Sequence, residues 1–494
     1  DEGGCLGFGS GSGSGSRSWL RLRALWAAAL LVTLVALVLL GNVAVLTLFD
    51  QSPERLTRPL THDADLFAQS LWQTASQTTE PRGIVLPLFD DIALLGFSLI
   101  LELRAFGVEL PIEVPHCGDL DPALADRVAR RDQRVRFYDA CELAADATDD
   151  FYPGRKLFCA DVEHCHSKFR GFDIKILGVV YSKFEQVMLL DADTMFFENP
   201  TQLWDTKKYR DTGTLFFLDR MTSDGENLAA PVDGDHGVRI TAIHAFLSSF
   251  DIKPFRNLET LARAEAADQD AIKDDVTPDL PVAFPFTPSR EIRLSHAWRM
   301  RTGHFLDSSV LLWNKRRQPR ATAILASFVS MNGARRPPSY GDKELFFQAC
   351  ELAESAYAVS DFGVGTIGAK WFAEEGGSLC GDQLHFLPEN ASAKPESAAP
   401  LYINSDSILT WDPRRVELFR TVGRLADVYP GNYKQLGFPI SCLFGVDVMP
   451  LAPELAERFL DRQQLHERVV QWFREDLHSW WLLAKLELRR WLQR

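Results

Sequence analysis

Apolar and polar positions along this chain change period several times, and each change marks an element. Residues 24 to 49, ALWAAALLVTLVALVLLGNVAVLTLF, hold no charged side chain. As a helix they would extend about 39 Å, enough to cross a bilayer with tilt. Residues 50 to 80 are rich in Thr, Gln, Ser and Asp with little periodicity, the pattern of a connecting stem. RGIVLPLF (82–89) then reads as a buried strand, DIALLGFSLILELRAFG (91–107) as a helix and ELPIEVPH (109–116) as a second strand. That strand-helix-strand unit predicts an α/β domain with a parallel sheet. VRFYDA (135–140) is a candidate third strand. In FDIKILGVVYSKF (172–184), Ile174, Leu177, Val180 and Tyr181 recur at helical spacing, and QVMLL (186–190) follows as a strand. Near the end, Val469, Phe473, Leu477, Trp480, Ala484, Leu488 and Trp491 recur every three or four positions, which makes 451–494 an amphipathic helical segment.

A cleaved signal peptide has an apolar region of roughly 7 to 15 residues, so the longer run within 19–49 reads as a retained anchor. Arg17, Arg21 and Arg23 precede it and only Asp50 directly follows. The positive-inside rule then leaves a cytosolic tail, 1–18, and puts the domain 81–450 in a secretory lumen, as a single-pass type II protein. The net charge of −14 and the lack of a concentrated basic surface argue against a nucleic-acid binder.

An oxidising lumen changes how the cysteines read. Cys117, Cys141, Cys159, Cys165, Cys350, Cys380 and Cys442 are available for disulfides, and an odd seven leaves at least one unpaired. CADVEHCH, Cys159 to His166, offers two thiols and two imidazoles, but its spacing lacks the paired C-x2-C of zinc knuckles, so disulfide or core use is favoured over zinc. Asn390-Ala391-Ser392 is a glycosylation sequon, with Asn390 the acceptor. For the last segment, Trp472, Trp480, Trp481 and Trp491 with Lys485, Arg489, Arg490 and Arg494 fit a membrane interface. Packing on the folded domain is preferred, because Glu475, Asp476 and Glu487 would repel anionic lipid.

The candidate chemistry lies in VMLLDADTMFFENP, 187–200. Asp191 and Asp193 leave the C-terminal end of a strand, where open α/β sheets bind ligands. Two carboxylates at i and i+2 can converge on one divalent cation, which can bridge the oxygens of a diphosphate. The apolar MFF that follows argues against a plain solvated turn. A haloacid-dehalogenase-type phosphatase also opens with Asp-x-Asp after an apolar strand, but wants a threonine at the fifth position, where Met195 stands, with Thr194 one place early.

KILGVVYSKFEQVMLLDADTMFFENPTQLWD followed by TGTLFFLDR closely resembles the core of the fungal-type Golgi α-1,3-mannosyltransferases and, more distantly, the glycogenin-like glycosyltransferases. ELRAFGVELPIEV, TGHFLDSSVLLWNK, YGDKELFFQACELA and LCGDQLHF extend the resemblance in order, over about 82–410. It implies an α/β, GT-A (Rossmann-like) nucleotide-sugar transferase with Mn²⁺ or Mg²⁺. The implied reaction moves α-mannose from GDP-mannose, with retention, to a mannose-containing glycan in the Golgi lumen. In that resemblance Asp191 and Asp193 bind the metal, His385 completes its site, and Lys175 faces the donor phosphates. Asp342 is assigned to the donor sugar and Asp307 to the acceptor, or the reverse. Ser309 stands where the family's usual glycine would be, and residues 220–300 form an insertion without counterpart. A UDP-sugar transferase of the same fold, or a non-catalytic anchored lectin, are the alternatives.

Overall fold

The structure, a computed structural model, describes residues 62–475 apart from 222–224, 234–238, 264–281, 332–335, 370–372, 375–377, 390–397, 406, 424–431 and 436–440. The first described element lies inside the stretch read as a stem. His62–Ala75 is a helix (α1), and Phe67, Ala68, Leu71 and Ala75 are buried. Residues 67, 71 and 75 repeat at four, the spacing that keeps one helical face against a core. Ser70 Oγ donates to Asp149 at 3.0 Å. The stem boundary at 80 is therefore too late, because 62–80 belong to the compact unit His62–Arg494. The expected tail, the anchor 24–49 and Asn390 lie outside the described residues. No described helix is long and apolar enough to cross a membrane.

The strand-helix-strand unit forms with its ends shifted slightly, as Glu80–Val85 (β1), Asp90–Ala105 (α2) and Ile112–His116 (β2). Val135–Asp139 is β3. Ile174–Tyr181 (α3) leads into Phe184–Leu190 (β4), and after the two aspartates Thr194–Phe196 forms a short strand, β5. Thr214–Leu218 (β6) and Leu306–Asn314 (β7) complete a six-stranded sheet of order β3-β2-β1-β4-β7-β6. The first four of these strands run parallel, as the sequence predicts, but β7 is antiparallel to both β4 and β6. The sheet is therefore mixed.

Apolar cores cover both faces of this sheet, which explains the unbroken VMLL of β4. Val187 and Leu189 join one cluster, Met188 and Leu190 the other. In β7, Leu311 and Trp313 face the first cluster, Val310 and Leu312 the second. A strand buried on both sides has no polar side to alternate with.

A second, largely antiparallel sheet of nine strands is built mainly from the chain beyond residue 364. Gly365–Ala369 (β8), Ser378–Phe386 (β9), Pro400–Asn404 (β10) and Ser441–Phe444 (β11) form its middle. β10 pairs on its other side with β5, placing Asn404 opposite Thr194 and Tyr402 opposite Phe196. The chain thus leaves one sheet at Leu190 and enters the other at Thr194, and Asp191–Asp193 is the seam between them.

Pro453–Arg474 is a helix (α4). Val469 and Phe473 of the predicted stripe are buried in the cluster on α2, where Phe473 stacks on Phe97 at 5.8 Å. This stretch packs on the folded body, while Leu477 and the later stripe residues lie outside the described residues. Cys117–Cys141, Cys159–Cys165 and Cys380–Cys442 are disulfides, and Cys350 is free and buried. The Cys159–His166 cluster thus uses its thiols as a disulfide.

Candidate active site

Four of the residues singled out from sequence come together at the seam. Lys175, on α3, is buried and shared among acidic groups. Its Nζ lies 2.7 Å from Asp191 Oδ1 and 3.3 Å from Asp342 Oδ1, and donates to Ser308 Oγ at 3.2 Å. It is no solvated helix lysine. Asp191 is fixed by its backbone, whose N–H donates to Ser309 O at 2.8 Å as β4 pairs with β7. Asp193 is fixed from the opposite sheet, its carbonyl accepting from Ser405 N at 3.1 Å.

Asp342 reaches this point through a tight turn. Gly341 has φ of 71°, and an added Cβ would meet the Phe172 ring at 2.9 Å, so glycine is required on both counts. Arg336 anchors the same turn, donating to Gly341 O at 3.1 Å and to Asp173 Oδ1 at 2.8 Å. Asp342 Oδ2 is buried without a hydrogen-bond partner.

One ammonium among Asp191, Asp193 and Asp342, of which Asp342 is buried and the other two half-buried, leaves an excess of negative charge. Burial pushes Asp191 up to about 7, with Lys175 opposing and Asp193 and Asp342 adding to the rise. Burial raises Asp342 too, against Lys175 and Ser308. Burial alone would lower Lys175, but Asp191, Asp342 and Asp307 raise it, so it stays protonated. A divalent cation suits such a donor set, because hard oxygen ligands and unbalanced charge are what Mn²⁺ or Mg²⁺ neutralises. Among the described residues, however, no group of three or more His, Cys, Asp and Glu side chains is arranged to hold a metal.

His385, assigned to that metal site from sequence, sits on buried β9 with its Nε2 3.2 Å from Asp307 Oδ2. Its ring stacks on Tyr402 at 4.4 Å, and Tyr402 Oη donates to Asp307 Oδ2 at 3.4 Å. Ser309, the departure from the family glycine, has a use here. Its Oγ donates to Asp307 Oδ2 and its N–H to Asp307 Oδ1 at 3.3 Å. Burial would raise Asp307, but His385, Ser309 and Lys343 outweigh it and hold the carboxyl well below the usual range. Asp307 is thus a fixed anion, whereas burial raises both Asp191 and Asp342, Asp191 to about 7.

Two further groups were not read from the sequence. Asp219 accepts from Lys343 Nζ at 2.6 Å and Gln383 Nε2 at 3.0 Å. It borders a cavity of about 610 Å³, also lined by Glu291, His304, Phe305 and Tyr357. Glu291 belongs to the insertion, so part of that segment walls this cavity. Tyr402 had no local signal, because its partner Asp307 is 95 residues away.

A family model described as "Mannosyltransferase putative" matches residues 81–387, and the chain belongs to that family. Over 358 residues it is 21% identical to "Putative alpha-1,3-mannosyltransferase MNN15" of Candida albicans, covering 68% of this chain and 41% of that protein. It is 26% identical over 173 residues to "Alpha-1,3-mannosyltransferase MNT2" of Saccharomyces cerevisiae, covering 34% of this chain and 29% of the relative. The chain spans less than half the length of these curated relatives. Among solved structures, the apo bifunctional glycosyltransferase WbbM is 10% identical with a TM-score of 0.29, covering 57% of this chain and 38% of that one. The galactosyltransferase LgtC bound to donor and acceptor sugar analogues is 17% identical with a TM-score of 0.20, covering 32% and 57%. Both likenesses are too slight to bear on the reading below.

Proposed function

We propose that this protein is a metal-dependent, retaining α-mannosyltransferase of GT-A type that uses GDP-mannose. Its acceptor is a mannose-containing glycan, and it works in the Golgi lumen from a type II anchor at 24–49. Membership in the mannosyltransferase family supports the sugar, and the names of its relatives support an α-1,3 linkage. One structural observation carries the chemistry: the buried, acid-rich seam in which Lys175 meets Asp191 and Asp342, next to Asp193 at the end of β4.

Asp191 and Asp193 would hold the cation, which when bound neutralises the diphosphate leaving group. The chain's own groups do the rest. Lys175, permanently charged, orients Asp191 and adds positive charge where phosphate oxygens would lie. Asp342, 3.3 Å from the same ammonium, borders the place of the donor sugar. Asp307, kept ionised by His385, Ser309 and Lys343, is a fixed negative charge able to stabilise a developing oxocarbenium ion or orient an acceptor hydroxyl. The cavity beside Asp219 gives the acceptor glycan its place.

The test is product analysis. Purified protein is given GDP-mannose or a panel of UDP-sugars, with Mn²⁺ or with chelator, and an α-mannoside acceptor. The expected product is an α-linked mannoside formed only from GDP-mannose and only with metal. Turnover of a UDP-sugar alone would overturn the donor, a β product by NMR the stereochemistry, and full activity in chelator the metal.

A further inference from the structure

A buried ion pair reaches the aspartate seam from the far end of the chain. Arg462, on α4, is fully buried. Its Nη2 donates to the carbonyl of Ala192, the residue between the two aspartates, at 3.3 Å, and to Leu95 O at 3.2 Å. Its Nη1 lies 3.4 Å from Oε2 of Glu102, a fully buried residue of α2. Glu102 in turn accepts from the backbone of Phe196, just past the seam. Arg458 Nη2 also approaches Glu102, at 3.5 Å. Phe459 adds an edge-on contact to Phe197 at 6.1 Å. The stretch 192–197 is therefore gripped at a carbonyl, an amide and an aromatic ring, by two helices that are distant in sequence.

A buried guanidinium-carboxylate pair is a poor source of stability, since well-packed apolar residues of like volume often do as well or better. What it supplies is direction: a planar fork with fixed donors, aimed at one main-chain oxygen. The family match ends at 387, so nothing in it accounts for an arginine at 462.

We propose that Arg462 is a positioning residue for the donor site: paired with Glu102, it fixes the Ala192 carbonyl and so the angle at which Asp191 and Asp193 present their carboxylates. This rests on the function proposed above and makes the C-terminal helix a working part of the site, with its effect confined to the donor side.

The test uses the full chain and three variants, Arg462→Met, Arg462→Lys and the double Glu102→Met/Arg462→Met. Arg462→Met alone leaves buried Glu102 with only the longer 3.5 Å contact to Arg458 for its charge and could unfold the protein, so the double variant decides. Free Mn²⁺ is titrated by electron paramagnetic resonance, GDP binding in Mn²⁺ by calorimetry, and unfolding by its midpoint temperature. KM is measured separately for donor and acceptor. The double variant should fold with a midpoint near wild type, yet bind Mn²⁺ and GDP about 10- to 100-fold more weakly, the usual effect of removing a group that orients metal ligands. Donor KM should rise likewise and acceptor KM stay unchanged, with Arg462→Lys recovering part of the loss. A folded double variant with wild-type Mn²⁺ and GDP constants would overturn the proposal, and so would one that cannot fold, because the pair would then be structural. Wild-type protein that binds no GDP refutes the donor assignment instead, before any variant is compared.

Discussion

The six-stranded and nine-stranded sheets divide the site between them in different ways. The first is buried on both faces and supplies the charges: Asp191 at the end of β4, Asp307 in β7, and Lys175 on the helix leading into β4. The second supplies orientation, with His385 and Tyr402 turned onto Asp307, Gln383 onto Asp219, and the backbone of Ser405 onto Asp193. An apolar sheet can bury several carboxylates only where another layer brings polar groups to meet them. The separation has a practical meaning: damage to the first sheet's residues should strike chemistry, and damage to the second should strike the precision of the site.

The largest effect is expected from Asp193→Ala, which removes a carboxylate at the seam itself. Transfer should fall by about 10³-fold or more with the far-UV circular dichroism spectrum unchanged. Near wild-type turnover in Mn²⁺ would show the assignment to be wrong. Next comes the second sheet alone, through Cys380→Ser/Cys442→Ser. The disulfide ties β9 to β11 across a sequence separation of 62, and a loop of that length should contribute about 4 kcal/mol. Its loss should lower the unfolding midpoint and loosen the strand that carries His385. A midpoint equal to wild type would mean that the disulfide is not formed in the purified protein.

Acid should strike the insertion. His244, in its helix Ala242–Ser249, is buried with Nδ1 2.7 Å from Thr241 Oγ1, and burial pulls its pKa down to about 4. Above about pH 6.5 it is neutral in both folded and unfolded chains and has no effect. As pH falls from 6.5 toward 4, the unfolded chain takes up a proton that the folded one refuses, and stability drops by about 3 kcal/mol in all. His244→Gln should flatten that part of the urea-midpoint profile. An unchanged slope would refute the role given to His244. The smallest effect is expected from Tyr402→Phe, which deletes one hydroxyl on Asp307. Turnover should fall about fivefold, the value of one hydrogen bond of about 1 kcal/mol, and no change would mean that His385 and Ser309 alone suffice.

Four strands of the first sheet were legible because their signals are local, while Thr214–Leu218 and Leu306–Asn314 were not read as strands. VMLL, the helical spacing of Ile174, Leu177 and Val180, and the DxD that follows lie within one continuous stretch, and each element's period survives in the fold. The reversed direction of β7 left no such mark, since a strand buried on both faces reads the same either way. The second sheet was mostly invisible for a related reason. Thr194 pairs with Asn404 and Gly381 with Ser441, and no window of sequence contains both partners. Helix α1 was missed for want of weight: Phe67, Leu71 and Ala75 keep strict helical spacing, but Thr and Gln around them masked it. His385 was found by motif, but its neighbour Asp307, on a strand of the other sheet, could not be paired with it from sequence. Arg462 had no signal beyond being an arginine on a helix whose neighbouring Phe459 is apolar.

The seam between the sheets also sets an order of assembly. Ribosomes release the chain from its N-terminus, and domains begin to organise as their parts emerge. β4 can pair with β1 once residue 190 is out, so Asp191 has its place early. Asp193 waits for residues 400–405, which pin β5 and its own carbonyl, and the Ala192 carbonyl waits for Arg462. The pair is incomplete until residues 400–405 and 462 are in place. A nascent chain therefore carries Asp191 and Asp193 without a formed pocket, and the seam closes only once residue 462 has emerged.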